Sequence, residues 1–244
     1  MNTLPSTRSN SSAQLAIRRR ASEPYRQADL HAYFFARCKL AADPLFTDLL
    51  LSGALSGCQH VLDLGCGQGL LAAWLHAVQS QRFEGAWPAG WPEPPRPTRI
   101  RGVDLRPECI RRAQAACGHL AQFAVQDLRE TDCAGADAVL ALDVVHYIEY
   151  ADQQTLLHRV RGALRPGGVL ILRVADAAGG FAFKLSGWVD HLNDLVRDRR
   201  RSAFFCRTLP QWLALLQSCG FTATTCSVHT GRSFSNRLLI AHAA

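Results

Sequence analysis

The run Val61-Leu62-Asp63-Leu64-Gly65-Cys66-Gly67-Gln68-Gly69 constrains this chain more than any other stretch. Its aliphatic start reads as a buried strand, and glycines at alternate positions then carry the backbone round a tight bend into a helix from Leu70 to Ala77. A strand, a glycine bend and a helix open an α/β unit, and unpaired N–H groups at the helix start face whatever binds there. With 244 residues, 48% apolar and 19% charged, the chain has the length and composition of one globular domain with appendages.

A dinucleotide fingerprint would read G-x-G-x-x-G, but here Gly69 falls one place early and Leu70 takes the expected glycine position. Asp63 sits at the strand end, where a carboxylate repels a pyrophosphate and attracts a cationic group. A sulfonium amino acid meets that demand. A tight turn with no ligand also fits the bend taken alone.

At Asp63, Gly65, Gly67 and Gly69 the chain resembles the class I S-adenosylmethionine-dependent methyltransferases, whose first motif is D-x-G-x-G-x-G. The resemblance implies a Rossmann-like α/β fold: a seven-stranded sheet, mostly parallel with the last strand antiparallel, and helices on both faces. It implies S-adenosyl-L-methionine as cofactor, with the turn through Cys66 against its aminoacyl part and Asp63 holding its ammonium end.

Later segments extend the likeness. Ile100 to Asp104 reads as a second strand ending in a carboxylate, which can accept both hydroxyls of a ribose or cap the helix Glu108 to Cys117. The resemblance assigns Asp104, with Leu105 beside it, to the ribose. Gln122 to Val125 reads as a third strand, and Asp127 and Leu128 after it inherit the family's contacts to adenine. Asp137 to Leu142, apolar on both faces, reads as a central strand that lies beside the first. At its end Asp143 and Val144 join the cofactor set, and His146 and Tyr147 are the catalytic candidates. A neutral imidazole can take a phenol's proton, although it can equally hydrogen-bond the backbone to shape the loop. Tyr147 either orients substrate or packs. No [DN]-P-P-[YF] or Pro-Cys sequence occurs, which disfavours nucleobase amino and cytosine C5 methylation. No Asp-Asn pair stands near Gly168 to Ile171 to complete a magnesium site with Asp143, so no metal is expected.

Residues 1–22, rich in Ser, Asn and Arg, read as a disordered basic tail without a secretory h-region. No stretch has the apolar length of a membrane span, so a cytoplasmic protein is expected. Residues 23–58 read as N-terminal helices: Tyr25 to Arg37, then a second opened by Asp43-Pro44 and running through Leu51. In the resembling family such helices often fold over the substrate mouth, making Tyr33, Phe34 and Arg37 lid candidates, with packing as the alternative for the aromatics. The domain proper, 59–244, carries a Pro/Trp-rich insertion at 79–98, read as a mobile or partner-contact loop, and a helical insertion at 177–206. Within the second, Phe181, Leu185, Trp188, Leu192 and Leu195 recur at helical spacing, and Trp188 is a substrate candidate. Pro166-Gly167-Gly168 precedes a fifth strand, Val169 to Val174, and Asp176 past its end either faces the crevice or makes an Asx turn. Thr208 to Gln211 has capping-box form, and Phe221 to His229 with Arg237 to His242 read as a terminal strand pair, leaving His229, Ser233 and Asn236 as pocket candidates.

The nine cysteines are scattered without a C-x-x-C pair, as reduced small apolar residues would be. The net charge of +7 gathers in Arg18 to Arg20 and in Arg197 and Arg199 to Arg201, a solvated surface or a face for an acidic partner. The expected function is methyl transfer to a small aromatic or phenolic acceptor, at oxygen or an activated ring carbon. The run Leu142 to Tyr147 with Arg173 to Gly180 resembles the small methyltransferases associated with aryl-polyene pigment biosynthesis, whose phenolic acceptors are often tethered to an acidic carrier protein. RNA or protein methylation, and cofactor binding without catalysis, are the rival readings. No RNA module accompanies the domain.

Overall fold

The computed structural model describes residues 7–177, 204–226 and 236–243. Seven strands form one sheet: β1 (His60–Leu64), β2 (Arg99–Asp104), β3 (Gln122–Val125), β4 (Ala138–Leu142), β5 (Val169–Ala175), β6 (Phe221–Cys226) and β7 (Asn236–Ala243). Their order is β3-β2-β1-β4-β5-β7-β6, and β7 alone runs against the direction of the other six. The expected seven-stranded fold is the one observed, with the 137–142 segment beside the first strand. Because β1 lies between β2 and β4, strand order reverses there and opens a crevice beyond the carboxyl ends of both strands.

Alternation along each strand divides the core. Val61, Ala138, Leu140, Val169 and Ile171 face a cluster built with helices α1 (Thr7–Ser22), α3 (Leu30–Ala42), α4 (Leu45–Leu51) and α5 (Leu70–Phe83). Leu62, Val139, Ala141, Leu170 and Leu172 face the other cluster, covered by α7 (Tyr150–Ala163) and α8 (Leu209–Ser218). Central strands buried on both faces need apolar residues at every position, and β5 is buried at all seven of its own. The remaining helices are the single turn α2 (Tyr25–Ala28) and α6 (Pro107–Cys117).

Two expectations are corrected. The tail is not disordered from Thr7 onward: α1 lies on α5, burying Ala13, Ile17 and Ala21 at four-residue spacing, and Arg20 pairs with Glu84 at 2.6 Å. A stripe made mostly of alanine carries little hydrophobic signal, yet it lets two helices approach closely. The helix after the glycine bend likewise runs on to Phe83, so the proline-rich insertion begins at Glu84. That insertion is anchored as well. Trp87 and Trp91 stack edge to face at 5.1 Å and pack on the core, while Trp87 Nε1 donates to the Pro92 carbonyl and Ser56 Oγ to that of Glu93. It leads into the amino end of β2, opposite the crevice.

Residues 1–6, most of the 177–206 insertion with Trp188, and His229 and Ser233 lie outside the described residues; Asn236 opens β7. Among the described residues no helix is long and apolar enough to cross a membrane.

Candidate functional site

The glycine bend is fastened to the end of β2. Gly65 and Cys66 donate their amides to the Val103 carbonyl at 2.8 and 2.9 Å, and Gly67 donates to Asp104 Oδ2 at 2.9 Å. Gly65 has φ +76°, and a Cβ there would lie 2.5 Å from Val144 Cγ2, so the bend packs against the turn after β4 only because it lacks a side chain. Gly69, at φ +80°, is similarly closed against Phe123. At Gly67 an added Cβ would meet nothing nearer than Arg106 Nη2 at 3.9 Å, so this part of the bend faces open space. The Cys66 thiol is buried and turned onto the Gly67 carbonyl, and burial raises its pKa, which makes it a wall of the bend rather than a nucleophile.

Three carboxylates line the crevice. Asp63 is buried, and among the described residues no cationic side chain is paired with it; burial and the neighbouring Asp104 charge push its carboxyl up to about 7. Asp104 takes the amides of Gly67 and Arg106 together with the Arg106 guanidinium. Asp127 is held by the amide and guanidinium of Arg129, whose hydrogen bonds keep its carboxyl below the usual range. Leu105, between Asp104 and Arg106, is largely exposed, whereas Leu128 is buried in the core.

The turn after β4 adopts a costly shape. Asp143 has φ +59°, the only positive φ at a non-glycine among the described residues, and its carboxylate meets Lys39 Nζ at 3.4 Å and Arg173 Nη1 at 3.2 Å. Both cations also hold Asp43, at 2.6 Å for Lys39 and 2.5 Å for Arg173. This tetrad, buried except at the partly exposed Asp143, ties α3 to the ends of β4 and β5. Arg37 sits two residues from Lys39, about 200° round the helix, and its guanidinium bonds Tyr33 at 2.9 Å while Phe34 is exposed. Among the described residues Lys39 is the α3 side chain brought to the turn after β4. Its signal in the sequence is the Lys39/Asp43 pair one helical turn apart, together with Arg173 as the lone charge inside an apolar strand.

His146 and Tyr147 follow in a single 3-10 turn, Val145–Tyr147. Their rings lie 4.3 Å apart, and Phe204 completes a triangle at 5.8 Å from His146 and 5.5 Å from Tyr147. His146 Nδ1 is shut off from solvent without a hydrogen-bond partner among the described residues; burial lowers the imidazole pKa against the opposing charge of Asp143. The ring is therefore neutral at neutral pH and able to accept a proton. Burial raises the Tyr147 phenol, although the residue remains 42% exposed. Gln153, fully buried, steadies the assembly: its amide donates to the carbonyls of Val145, Ile148 and Phe205. Neither Gln153 nor Phe204 carries a motif that marks it in the sequence. Asp176 accepts the Leu209 amide at the start of α8 at 3.2 Å and lies 3.8 Å from Arg237.

Among known proteins, residues 62–170 match the methyltransferase domain family. An uncharacterised methyltransferase of Mycobacterium bovis is 32% identical over 144 residues, covering 54% of this chain and 60% of that relative, so the match spans less than two thirds of its length. Among solved structures, an O-methyltransferase family protein from Burkholderia thailandensis superposes with a TM-score of 0.58 at 16% identity, covering 89% of this chain and 61% of that one. Magnesium protoporphyrin IX methyltransferase from Synechocystis PCC 6803 with bound SAM gives 0.55 at 16% identity over 100% of both chains. At these identities the superpositions speak for the fold. Residues 62–170 are thus similar to a methyltransferase domain, and the seven-stranded sheet that carries them has the fold of these solved structures.

Proposed function

We propose that the chain is an S-adenosyl-L-methionine-dependent methyltransferase acting on a small aromatic or phenolic acceptor. The observation that carries this reading is Asp63: a buried carboxylate with no paired cation among the described residues, beside a glycine bend open at Gly67. An ammonium group satisfies such a carboxylate in its ionised form, so the residues present fit this cofactor. Asp63 would hold its ammonium end, Asp104 its ribose and Asp127 its adenine edge. When bound, the sulfonium supplies an electrophilic methyl group and a neutral thioether leaving group.

The chain's own work is then to place the acceptor and manage one proton. The rings of Tyr147 and Phe204 offer a planar acceptor an apolar surface at the mouth of the crevice. His146, neutral through burial, is suited to take the proton of a phenolic hydroxyl as it attacks. The narrower setting, a phenolic acceptor tethered to a carrier protein in aryl-polyene pigment biosynthesis, draws its support from the runs Leu142 to Tyr147 and Arg173 to Gly180. Arg20 of the N-terminal basic run is committed to Glu84, which weakens the case for RNA as acceptor. Incubating the protein with methyl-labelled cofactor and total extract tests the proposal. Label in an aromatic small molecule, free or released from a carrier protein by thioester cleavage, supports it; label confined to RNA or to protein side chains contradicts it.

A further inference from the structure

The tripeptide Asp-Leu-Arg occurs twice, at 104–106 and 127–129, at the ends of the adjacent parallel strands β2 and β3. Both copies fold alike. Each carboxylate accepts the amide of the arginine two residues on, at 2.9 Å for Arg106 and 2.8 Å for Arg129, and the guanidinium of that arginine then forks back onto it.

The copies differ in what is left over. An ionised carboxylate offers about four lone-pair sites. Asp127 receives three donors, all from Arg129, so one site remains for a single N–H such as an exocyclic amine. Asp104 receives four: the Gly67 amide at 2.9 Å, the Arg106 amide at 2.9 Å, Arg106 Nε at 3.0 Å and Nη2 at 3.3 Å. A ribose diol needs two acceptor sites. The Gly67 amide cannot withdraw, because its bend is also fastened to the Val103 carbonyl, and the Arg106 amide belongs to the backbone of the turn. Only the guanidinium can leave. Its side chain is 33% exposed and its neighbour Leu105 is largely open to solvent, so it has somewhere to go.

We infer that the Arg106 guanidinium is an internal competitor for the ribose-binding carboxylate Asp104, released when the cofactor's nucleoside enters, whereas Arg129 stays on Asp127. The inference rests on the cofactor reading above and adds to it a residue that sets affinity by occupying the site. Arg106 thereby shields Asp104, close to the already protonation-prone Asp63, until a diol replaces it. The exchange takes the guanidinium out to water and leaves the diol hydroxyls, with the amides of Gly67 and Arg106, to hold the Asp104 charge.

Calorimetric titration of S-adenosylhomocysteine and of 5′-methylthioadenosine into the wild-type chain and the variants Arg106→Met, Arg106→Lys and Arg129→Met tests this. Losing a competing charge-assisted contact is expected to tighten both ligands about threefold to tenfold in Arg106→Met. Arg106→Lys, which keeps the charge but not the fork, should fall between it and wild type, and Arg129→Met should show no tightening. In the wild type, the Nε–H resonance of Arg106 should shift on saturation with either ligand and that of Arg129 should stay, a readout that needs no variant. Unchanged or weaker binding in Arg106→Met, or an Arg106 resonance unmoved at saturation, would overturn the inference while leaving the cofactor reading standing. A wild-type chain that bound neither ligand would overturn both.

Discussion

Lys39 in α3 reaches Asp143 at the end of β4, placing its ammonium 3.4 Å from the carboxylate of a residue held at φ +59°. The contact joins the N-terminal helices to the turn that carries His146 and Tyr147. Removing one member of a buried ionic group strands its partners, so Lys39→Met should cost about 3 kcal/mol of stability, measured by urea unfolding. Asp143→Asn keeps a side chain that tolerates the left-handed region but drops the charge. The double variant should lose less than the sum of the two singles, because both remove the same pair. Additive losses would mean that the contact carries no energy.

Gly65→Ala places a methyl group within 2.5 Å of Val144 Cγ2 at φ +76°. Strain of this kind costs on the order of 1–3 kcal/mol, and relief requires the 144–147 turn to retreat from the bend. The unfolding midpoint should fall and S-adenosylhomocysteine binding should be lost together. A folded Gly65→Ala variant with wild-type affinity would show that the closeness of bend and turn is irrelevant to the ligand.

Asp63 makes binding depend on pH. Its folded carboxyl titrates at about 7, above the ordinary value of 3.8, so the free protein holds this proton below neutrality. The stability associated with it is fully present below about pH 4 and is lost as pH rises through about 7. A bound ammonium favours the ionised form and draws the pKa down. Affinity for S-adenosylhomocysteine should therefore weaken as pH falls below 7, approaching about tenfold per unit, and binding near neutrality should release a proton, seen as a heat that changes with the buffer's ionisation enthalpy. A flat affinity between pH 6 and pH 8 would place the ammonium elsewhere.

His146 should fail in the same direction for a different reason. Its pKa is lowered by burial, so the neutral ring persists down to below about 6.5. Methyl transfer to a phenol should decline once pH falls through that lowered value. His146→Asn should reduce kcat by about 10²- to 10⁴-fold with cofactor affinity retained. A variant that kept kcat but unfolded more easily would make the ring a loop-shaping residue.

The sheet was legible because its central strands are apolar on both faces, and the bend because Gly65 and Gly69 occupy positions where a side chain would collide. What escaped the sequence depends on distance across the fold. Ala13, Ile17 and Ala21 look inert until α5 lies beneath them. The pairing of Asp43 with Arg173 spans most of the chain, and the partners of Gln153 are carbonyls of a turn and of Phe205, neither of which leaves a mark in composition. Asp176 could be read from its position as either a crevice residue or an Asx turn, and its bond to the Leu209 amide, 33 positions further on, is not foreseen by either reading.

The central claim is that Asp63 meets the ammonium of a sulfonium donor over the glycine bend. Isothermal titration of S-adenosylhomocysteine into the intact chain and into Asp63→Asn at pH 8 tests it most directly. The account predicts saturable one-to-one binding by the wild type and a loss of about tenfold or more in the variant, as befits a charge-assisted contact. Equal affinities, or uptake of a nicotinamide dinucleotide in place of S-adenosylhomocysteine, would contradict it.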